Sequence, residues 1–495
     1  MSAEEEEAPG FPFEEAPEPL LYWRDLLPWA PLTVAFVLAL VIYWPSFDSA
    51  FFGDDYQYVQ AVKTLSFGHY LRVSLDPGAH DETLTLAQDY WRPLFFLSFQ
   101  VTYRFFGAHV LAYHLLNFAV HLASIVLVWL LARRMTRRGE AAAVACVLFA
   151  VHPAGVESIA WISSFNSTAL PLGLAAWLAF ISAVESEDPA ERRRRHVLAL
   201  LLLALALGFR ETAGVFFGAI GAWYVLVPAR SRLLDWRTFL PLVPYAALAV
   251  LYVVIHTKFF TQPAHNEFAY NWGEQVPEQF WYYLRVGFGS FSESHTVRHR
   301  LMANAAAVVL VSAIPAALFA RRWVLVVLLV AFVGSVVPNS ATTFGAFPRY
   351  FYLPSAFFAL AMGALTVEVL DLAGRLRKRA LGRALVVIAM ACAAGFGVKT
   401  GQQGVNRWID ASPGVSESWV GQLRSRVDTI PPGGTLYAVN TPMILGLFGG
   451  YALKPTVAYY YPGVARVVPV EVADYLKVKA GTGPGDRVFI YEPPP

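Results

Sequence analysis

An all-α polytopic membrane protein, with about eleven transmembrane helices and a small external α/β domain at its C-terminus, is the fold class that this sequence predicts. Composition is the first reason. Of 495 residues, 56% are hydrophobic and only 15% are charged, and the mean hydropathy of +0.46 is too high for a soluble globular chain. The second reason is the recurrence of apolar runs, and the third is where the arginines fall between them.

Spanning a bilayer takes about 20 apolar residues in a helix. Runs near that length lie at 29 to 45, 111 to 132, 140 to 152, 166 to 184, 196 to 209, 211 to 227, 238 to 257, 302 to 320, 322 to 338, 350 to 371 and 381 to 398, the third and fifth being short. With the N-terminus on the cytoplasmic side, the even-to-odd connections carry Arg133, Arg134, Arg137 and Arg138, then Arg192 to Arg195, then Arg230, Arg232 and Arg237. Arg321 and Arg322 follow, and then Arg375, Arg377, Lys378, Arg379 and Arg383. Each of these connections is basic, and the alternate ones are poor in Lys and Arg for their length. The positive-inside rule therefore fixes the orientation. Residues after the first run face outside, in a periplasm or an organelle lumen.

Orientation accounts for these arginines. Net charge is only +2, and no nucleic-acid patch is implied. Cys146 and Cys392 both lie in apolar runs and read as small core residues, which excludes a disulfide framework or a zinc site.

Three regions follow along the chain. Residues 1–28 hold Glu4 to Glu7 and several prolines, which suits a disordered acidic cytoplasmic tail before an uncleaved first helix. Residues 29–400 make the transmembrane domain, with long external loops over 46–110 and 258–301. In the first loop, Pro93 to Gly107 is apolar but interrupted by Gln100, Thr102 and Arg104, and it reads as a helix lying in the interface. Trp272, Trp281, Tyr282 and Tyr283 in the second read as interfacial belt residues. Residues 401–495 turn polar and rich in Gly and Pro. An amphipathic helix over Ser416 to Val427 precedes strand-like runs at Thr435 to Val439, Ala465 to Val470 and Arg487 to Tyr491. No repeat of fixed period is present.

Asp54 and Asp55, in Phe51-Phe52-Gly53-Asp54-Asp55-Tyr56, stand a few residues beyond the first run. Adjacent carboxylates at a membrane surface are costly to desolvate. A proton acceptor or a cation site would use them, and a solvated turn built on Gly53 is the structural alternative. Further polar residues collect at external helix ends: Asp89, Arg92, His114 with Asn117, His152, Glu157, Arg210, Glu211 and Arg349. Singly, each has a structural reading. Arg210-Glu211 suits an ion pair in a helix hairpin, His114 and Asn117 suit bonds between helices, and His152-Pro153 suits a helix end. Together they describe an external cavity with both signs of charge. Carboxylates there suit deprotonation of a hydroxyl, while Arg92, Arg210 and Arg349 suit a phosphate or pyrophosphate.

The ordered series of Asp54-Asp55, Tyr90-Trp91-Arg92-Pro93-Leu94, Phe106-Gly107, Tyr113-His114-Leu115-Leu116-Asn117, His152-Pro153 with Glu157 and Trp161, Arg210-Glu211-Thr212 and Arg349-Tyr350-Phe351-Tyr352-Leu353-Pro354-Ser355 resembles the GT-C superfamily of membrane glycosyltransferases. Within it, the sequence is most similar to the protein O-mannosyltransferase branch that includes the transmembrane and tetratricopeptide-containing mannosyltransferases. The resemblance covers roughly residues 30 to 410. It departs from that branch in having Arg210 before Glu211 where a Lys is usual, and Pro348 where a Glu is usual. Residues 74 to 89 look like an insertion, and the repeat array is replaced by the small C-terminal domain.

The resemblance implies a fold of GT-C type. It also implies transfer of a sugar, with inversion, from a polyprenyl-phosphate donor to a glycan, lipid or protein acceptor on the outer face. Asp54 would be the general base, with Asp55 orienting it or binding the acceptor. Arg92, Arg210 and Arg349 would hold the donor phosphate, and Asp89, His114, His152, Glu157, Glu211 and Tyr350 would line the substrate site. No cofactor is required, although a divalent cation at Asp54 and Asp55 is an option. The missing repeats and the many Ala and Arg residues point to a bacterial inner membrane with the site facing the periplasm. A transporter or flippase of lipid-linked sugars is the alternative, since it too needs an amphipathic cavity with arginines. It should carry paired repeats and polar residues on both sides of the membrane.

Overall fold

The computed structural model describes residues 29–76, 79, 81, 91–164, 166–259, 271–289, 297–342, 345–442, 445 and 452–493. The acidic tail and Asp89 lie outside the described residues.

Helices stand at all eleven of the expected apolar runs. The first, α1 (Ala30–Tyr43), has Pro31 in its opening turn and stops in a 3-10 turn over Trp44–Asp48 that holds Pro45. The connection that follows holds three helices, α2 (Asp54–Thr64), α3 (Phe67–Leu75) and α4 (Pro93–Phe106). Helix α4 buries Phe95, Phe96 and Phe99 and exposes Val101, Phe105 and Phe106, an apolar outer face that suits an interfacial helix. Next come α5 (Val110–Thr136), ended by Arg137 in the left-handed region, and α6 (Gly139–Ala150). Helix α6 meets the short α7 (Val156–Ala160) across His152-Pro153 at a 48° bend.

The middle of the chain holds α8 (Asn166–Val184), α9 (Pro189–Phe209) and α10 (Val215–Leu226). Asp188 starts α9 by accepting from the N–H groups of Ala190 and Glu191, with Pro189 in the first turn. The remaining elements of the helical part are α11 (Val243–Phe259), α12 (Gln275–Val286), α13 (Val297–Phe319), α14 (Trp323–Ser340), α15 (Tyr352–Arg375) and α16 (Arg379–Ala411). Among the described residues eight segments are long and apolar enough to cross a membrane, or nine if the bent pair α6 and α7 is one span. Helix α9 carries the Arg192 to Arg195 run and α10 is short, so neither passes that test alone.

Helices pack closely where small residues meet. A Cβ on Gly363 of α15 would lie 2.5 Å from the Ala141 carbonyl oxygen of α6, so only glycine admits this approach. The sequence reading ends the last apolar run at residue 398, where polar residues begin. Helix α16 instead continues to Ala411, because Gly401 and Val405 keep a buried seam along it, Gly401 against Ile42. Cys146 is buried as expected, whereas Cys392 on α16 is exposed, which corrects its reading as a core residue.

The C-terminal part has α17 (Pro413–Arg426), α18 (Leu453–Tyr460) and α19 (Tyr475–Gly481) around three strands, β1 (Thr435–Val439), β2 (Arg466–Val470) and β3 (Arg487–Ile490). All are parallel in the order β2-β1-β3, with Leu436 opposite Val467 on one side and Arg487 on the other. Trp419 of α17 is fully buried, edge-on to Phe489 of β3 at 5.2 Å. Helix α18 leans on α2: Tyr56 and Tyr460 join hydroxyls at 3.2 Å, and the Tyr56 and Tyr459 rings are 5.6 Å apart.

Candidate active site

Asp54 and Asp55 open helix α2, and the two carboxylates have different fates. Gly53 takes φ of +55°, which turns the chain into the helix and is the reason a glycine stands there. Asp55 is 1% exposed. One of its oxygens accepts from the Phe52 N–H at 3.1 Å, and the other accepts from the Ser163 N–H at 2.9 Å and from the Ser163 hydroxyl. Its carboxylate is thereby saturated by the protein. Asp54 is only partly buried, and among the described residues its carboxylate has no hydrogen-bond or ion-pair partner.

Burial pushes the Asp54 carboxyl up to about 6, against the opposing field of nearby Arg349. Burial likewise pushes Asp55 up to about 7, against the hydrogen bonds from Ser163 and Phe52, and the Asp54 charge adds to the rise. An acid of pKa near 6 is ionised at neutral pH and still basic enough to take a proton.

The scaffold under the pair explains its position. Tyr58 of α2 lies against the rings of Phe95 and Phe99 on α4, at 5.1 and 4.9 Å, so the acidic helix rests on the helix that Arg92 begins. Phe52 packs on Trp161 at 5.3 Å. Asn117 in turn holds the 161–162 loop by donating to the carbonyls of Trp161 and Ile162.

Arginines surround this point in two ion pairs. Arg92 grips Glu211 through two bonds of 2.9 and 2.7 Å, both side chains being nearly buried at 7% and 13% exposure. Arg349 meets Glu157 through one bond of 2.8 Å at 18% and 24% exposure. Three rings enclose the Arg349 guanidinium, from Phe347 at 4.3 Å, Tyr350 at 5.1 Å and Trp161 at 5.7 Å. Arg210 lies 3.9 Å from Glu211 and 5.4 Å from the Tyr350 ring. Tyr350 thus stands between Arg210 and Arg349 and brings the two cations to one place.

Of the residues singled out in the sequence, Asp54, Arg210, Glu211, Arg349, Glu157 and Tyr350 converge here, and Arg92 joins them through Glu211. Two histidines instead tie backbone. His114 contacts the hydroxyl and the carbonyl oxygen of Ser49, both at 3.1 Å, which fixes the chain just before the acidic pair. His152 accepts from the Ala154 N–H at 3.2 Å and lies against Phe351. Among the described residues, no three His, Cys, Asp or Glu side chains are grouped to hold a metal ion.

Two contributors escaped the sequence reading. Ser163 carried no motif, and only its contact with Asp55 reveals it. Helix α12, whose aromatic residues read as membrane belt, belongs in part to the site. Tyr283 is buried and its hydroxyl accepts from the Phe347 N–H at 3.3 Å, next to Arg349.

The helical bundle around these residues has a GT-C, ArnT-like fold. Residues 92–257 match the family described as dolichyl-phosphate-mannose-protein mannosyltransferase. Protein O-mannosyl-transferase Tmtc1 of Drosophila melanogaster is 29% identical over 202 residues, 39% of this chain and 22% of that protein. The chain spans about a fifth of the length of that curated relative. ArnT from Cupriavidus metallidurans bound to undecaprenyl phosphate superposes with a TM-score of 0.55 at 16% identity, over 91% of each chain. The same ArnT in the apo state gives 0.53 at 14% identity, over 94% of this chain and 93% of that one. The chain shares the fold of ArnT over 91% of its length, and resembles the dolichyl-phosphate-mannose-protein mannosyltransferase family in sequence over residues 92–257.

Proposed function

We propose that this protein is a glycosyltransferase that moves a sugar from a polyprenyl-phosphate donor to a hydroxyl-bearing acceptor at the external face of the membrane, with inversion. The observation that carries the reading is the unpartnered Asp54 carboxylate beside Arg349. Asp54 takes the proton of the acceptor hydroxyl as the acceptor oxygen bonds to the anomeric carbon of the sugar. The bond from that carbon to the phosphate oxygen breaks, and its electron pair leaves with the polyprenyl phosphate. Arg349 and Arg210, joined through Tyr350, face the added negative charge, and each well-placed donor in a dry site is worth about 3 kcal/mol at the transition state. Undecaprenyl phosphate in the ArnT structure and the dolichyl-phosphate-mannose description of the matched family support this donor class. Asp55 serves as a support for the turn, closed on Ser163.

Purified protein incubated with a panel of polyprenyl-phosphate sugars should release polyprenyl phosphate. The Asp54→Asn variant should release none above background while staying folded. Near-normal turnover by that variant would remove Asp54 as the base, and no release from any donor would remove the donor class.

The external placement has its own check. A cysteine at exposed Lys477 should react with an impermeant maleimide on intact cells or spheroplasts, and one at exposed Ser231 only after permeabilisation. The reverse pattern would put the site in the cytoplasm and favour a nucleotide-sugar enzyme or a transporter.

A further inference from the structure

An open groove of about 550 Å³ runs between α1 and α16. Leu38, Ala394, Gly395 and Val398 make one end of it apolar, and Lys399, Gln402, Gln403 and Asn406 make the other end polar. Trp408, on the side of α16 turned toward the candidate site, packs on Phe52 at 5.0 Å, so the groove opens on a different side of that helix. Val37 and Leu40 of α1 and Ile388 and Phe396 of α16 are exposed apolar residues, as on helices that face lipid.

The change from apolar to polar falls at a membrane boundary. Arg379 opens α16, and Lys399 is 20 residues past it. That is about 30 Å along a helix, the thickness of the hydrocarbon core. Gln402 donates to the Val41 carbonyl at 3.1 Å, which sets the exposed Trp44, three residues on, near the same level. Tryptophan is a residue of the headgroup layer.

Lipid is the solvent at the apolar end, and an unfilled cleft there would forfeit dispersion contacts, so an acyl chain fills it. The polar end decides which lipid that is. Among the described residues the Lys399 ammonium has no hydrogen bond or ion pair, and neither do the side chains of Gln403 and Asn406. An ammonium matches the single charge of a phosphodiester, and amides offer donors and acceptors to hydroxyls. No carboxylate lines the groove to receive the ammonium of a zwitterionic headgroup. The acidic residue of α16, Asp410, lies 11 residues past Lys399, about 16 Å along the helix.

We infer that this groove binds an anionic, hydroxyl-bearing phospholipid of the surrounding bilayer, with its phosphodiester on Lys399, its headgroup hydroxyls on Gln403 and Asn406, and an acyl chain against Gly395 and Val398. Gly395 keeps the groove open: a Cβ there would meet no atom within 4 Å, so protein packing does not demand a glycine.

The test uses full-length protein in nanodiscs that contain phosphatidylglycerol or phosphatidylcholine with a photoactivatable acyl chain, the adducts being mapped to α1 and α16 peptides by mass spectrometry. Phosphatidylglycerol should label the groove about fivefold more than phosphatidylcholine, the worth of one lysine at a lipid surface. Lys399→Gln should remove that preference there and leave adducts elsewhere on the protein unchanged. Gly395→Leu, whose side chain enters the groove, should melt like the parent and lower the adducts of both lipids. Equal labelling of the parent by the two lipids, or a Lys399→Gln variant with the parent's preference, makes Lys399 a side chain that merely reaches for water and overturns the inference. Loss of the phosphatidylglycerol adducts to equimolar undecaprenyl phosphate overturns it too, and gives the groove to the polyprenyl carrier. If Lys399→Gln does not fold, undiminished adducts in Gly395→Leu overturn it.

Discussion

Two halves of the candidate site use the same residue types to opposite ends. In the closed half, Asp55 is saturated by Ser163 and Phe52, Arg92 holds Glu211 through two bonds, and His114 is tied to Ser49. In the open half, the Asp54 carboxylate has no hydrogen-bond or ion-pair partner among the described residues, and Arg349 holds Glu157 through a single bond in a cage of rings. A saturated polar group fixes structure, because removing its partner leaves an unpaid desolvation cost. An unsaturated one keeps that interaction for a ligand. Adjacent residues of identical type, Asp54 and Asp55, fall on opposite sides of this division.

The largest effect expected from breaking the comparison is on turnover. Asp54→Asn should lower transfer by about a hundredfold to ten-thousandfold, the range of a general base, with no loss of stability. Asp55→Asn should do the reverse. Its amide would set a donor against the Phe52 or Ser163 N–H, at a cost of about 1–3 kcal/mol in unfolding measurements, with transfer partly retained. Loss of transfer by Asp55→Asn at unchanged stability would erase the division.

The ion pairs should separate in the same way. Arg92→Ala leaves Glu211 charged in a nearly buried place with only Arg210 near, and should cost about 3–5 kcal/mol in a thermal melt. Arg349→Ala should cost much less stability, since Glu157 is reachable by water, and instead weaken donor affinity and turnover. Arg349→Lys should be impaired too, because an ammonium does not reproduce the fork. Equal destabilisation by the two alanine variants would make both pairs structural.

The pH dependence sharpens the role of Asp54. With the carboxyl raised to about 6, kcat/KM should fall as pH drops through 6, and the residual activity of Asp54→Asn should lack that limb. Stability moves the other way. A carboxyl whose pKa is raised on folding favours the folded state below its unfolded value of about 3.9, and that contribution is lost as pH rises through 6. Asp54→Asn should therefore melt higher than the parent at pH 8, with the gain shrinking toward pH 4. An acid limb that persists in the variant would assign it to another group.

The smallest effect is expected at Ser163. Ser163→Ala removes the hydroxyl but keeps the backbone N–H on Asp55, and should cost about 1 kcal/mol with turnover little changed. A loss as large as that of Asp54→Asn would move Asp55 and its partner into the reaction itself.

Local patterns determined much of this protein. Apolar runs about as long as a bilayer is thick became helices at every expected place, since a backbone in lipid must satisfy its own hydrogen bonds. Alternating residues between glycine-rich and proline-rich turns became the three strands within a residue of where they were read. The acidic pair was visible because charge next to an apolar run is costly wherever it points. Only tertiary structure decided which of Asp54 and Asp55 stays open, because that depends on Ser163, more than a hundred residues away in sequence. It likewise separated Arg92 from Arg349 by setting how fully each is enclosed. It also moved Tyr283 from an aromatic belt to the site, since α12 meets the segment before Arg349 through contacts that no local spacing encodes. Propensity and hydropathy act within a few turns of chain, whereas partnering of polar groups is settled by whatever packing brings within 3 Å.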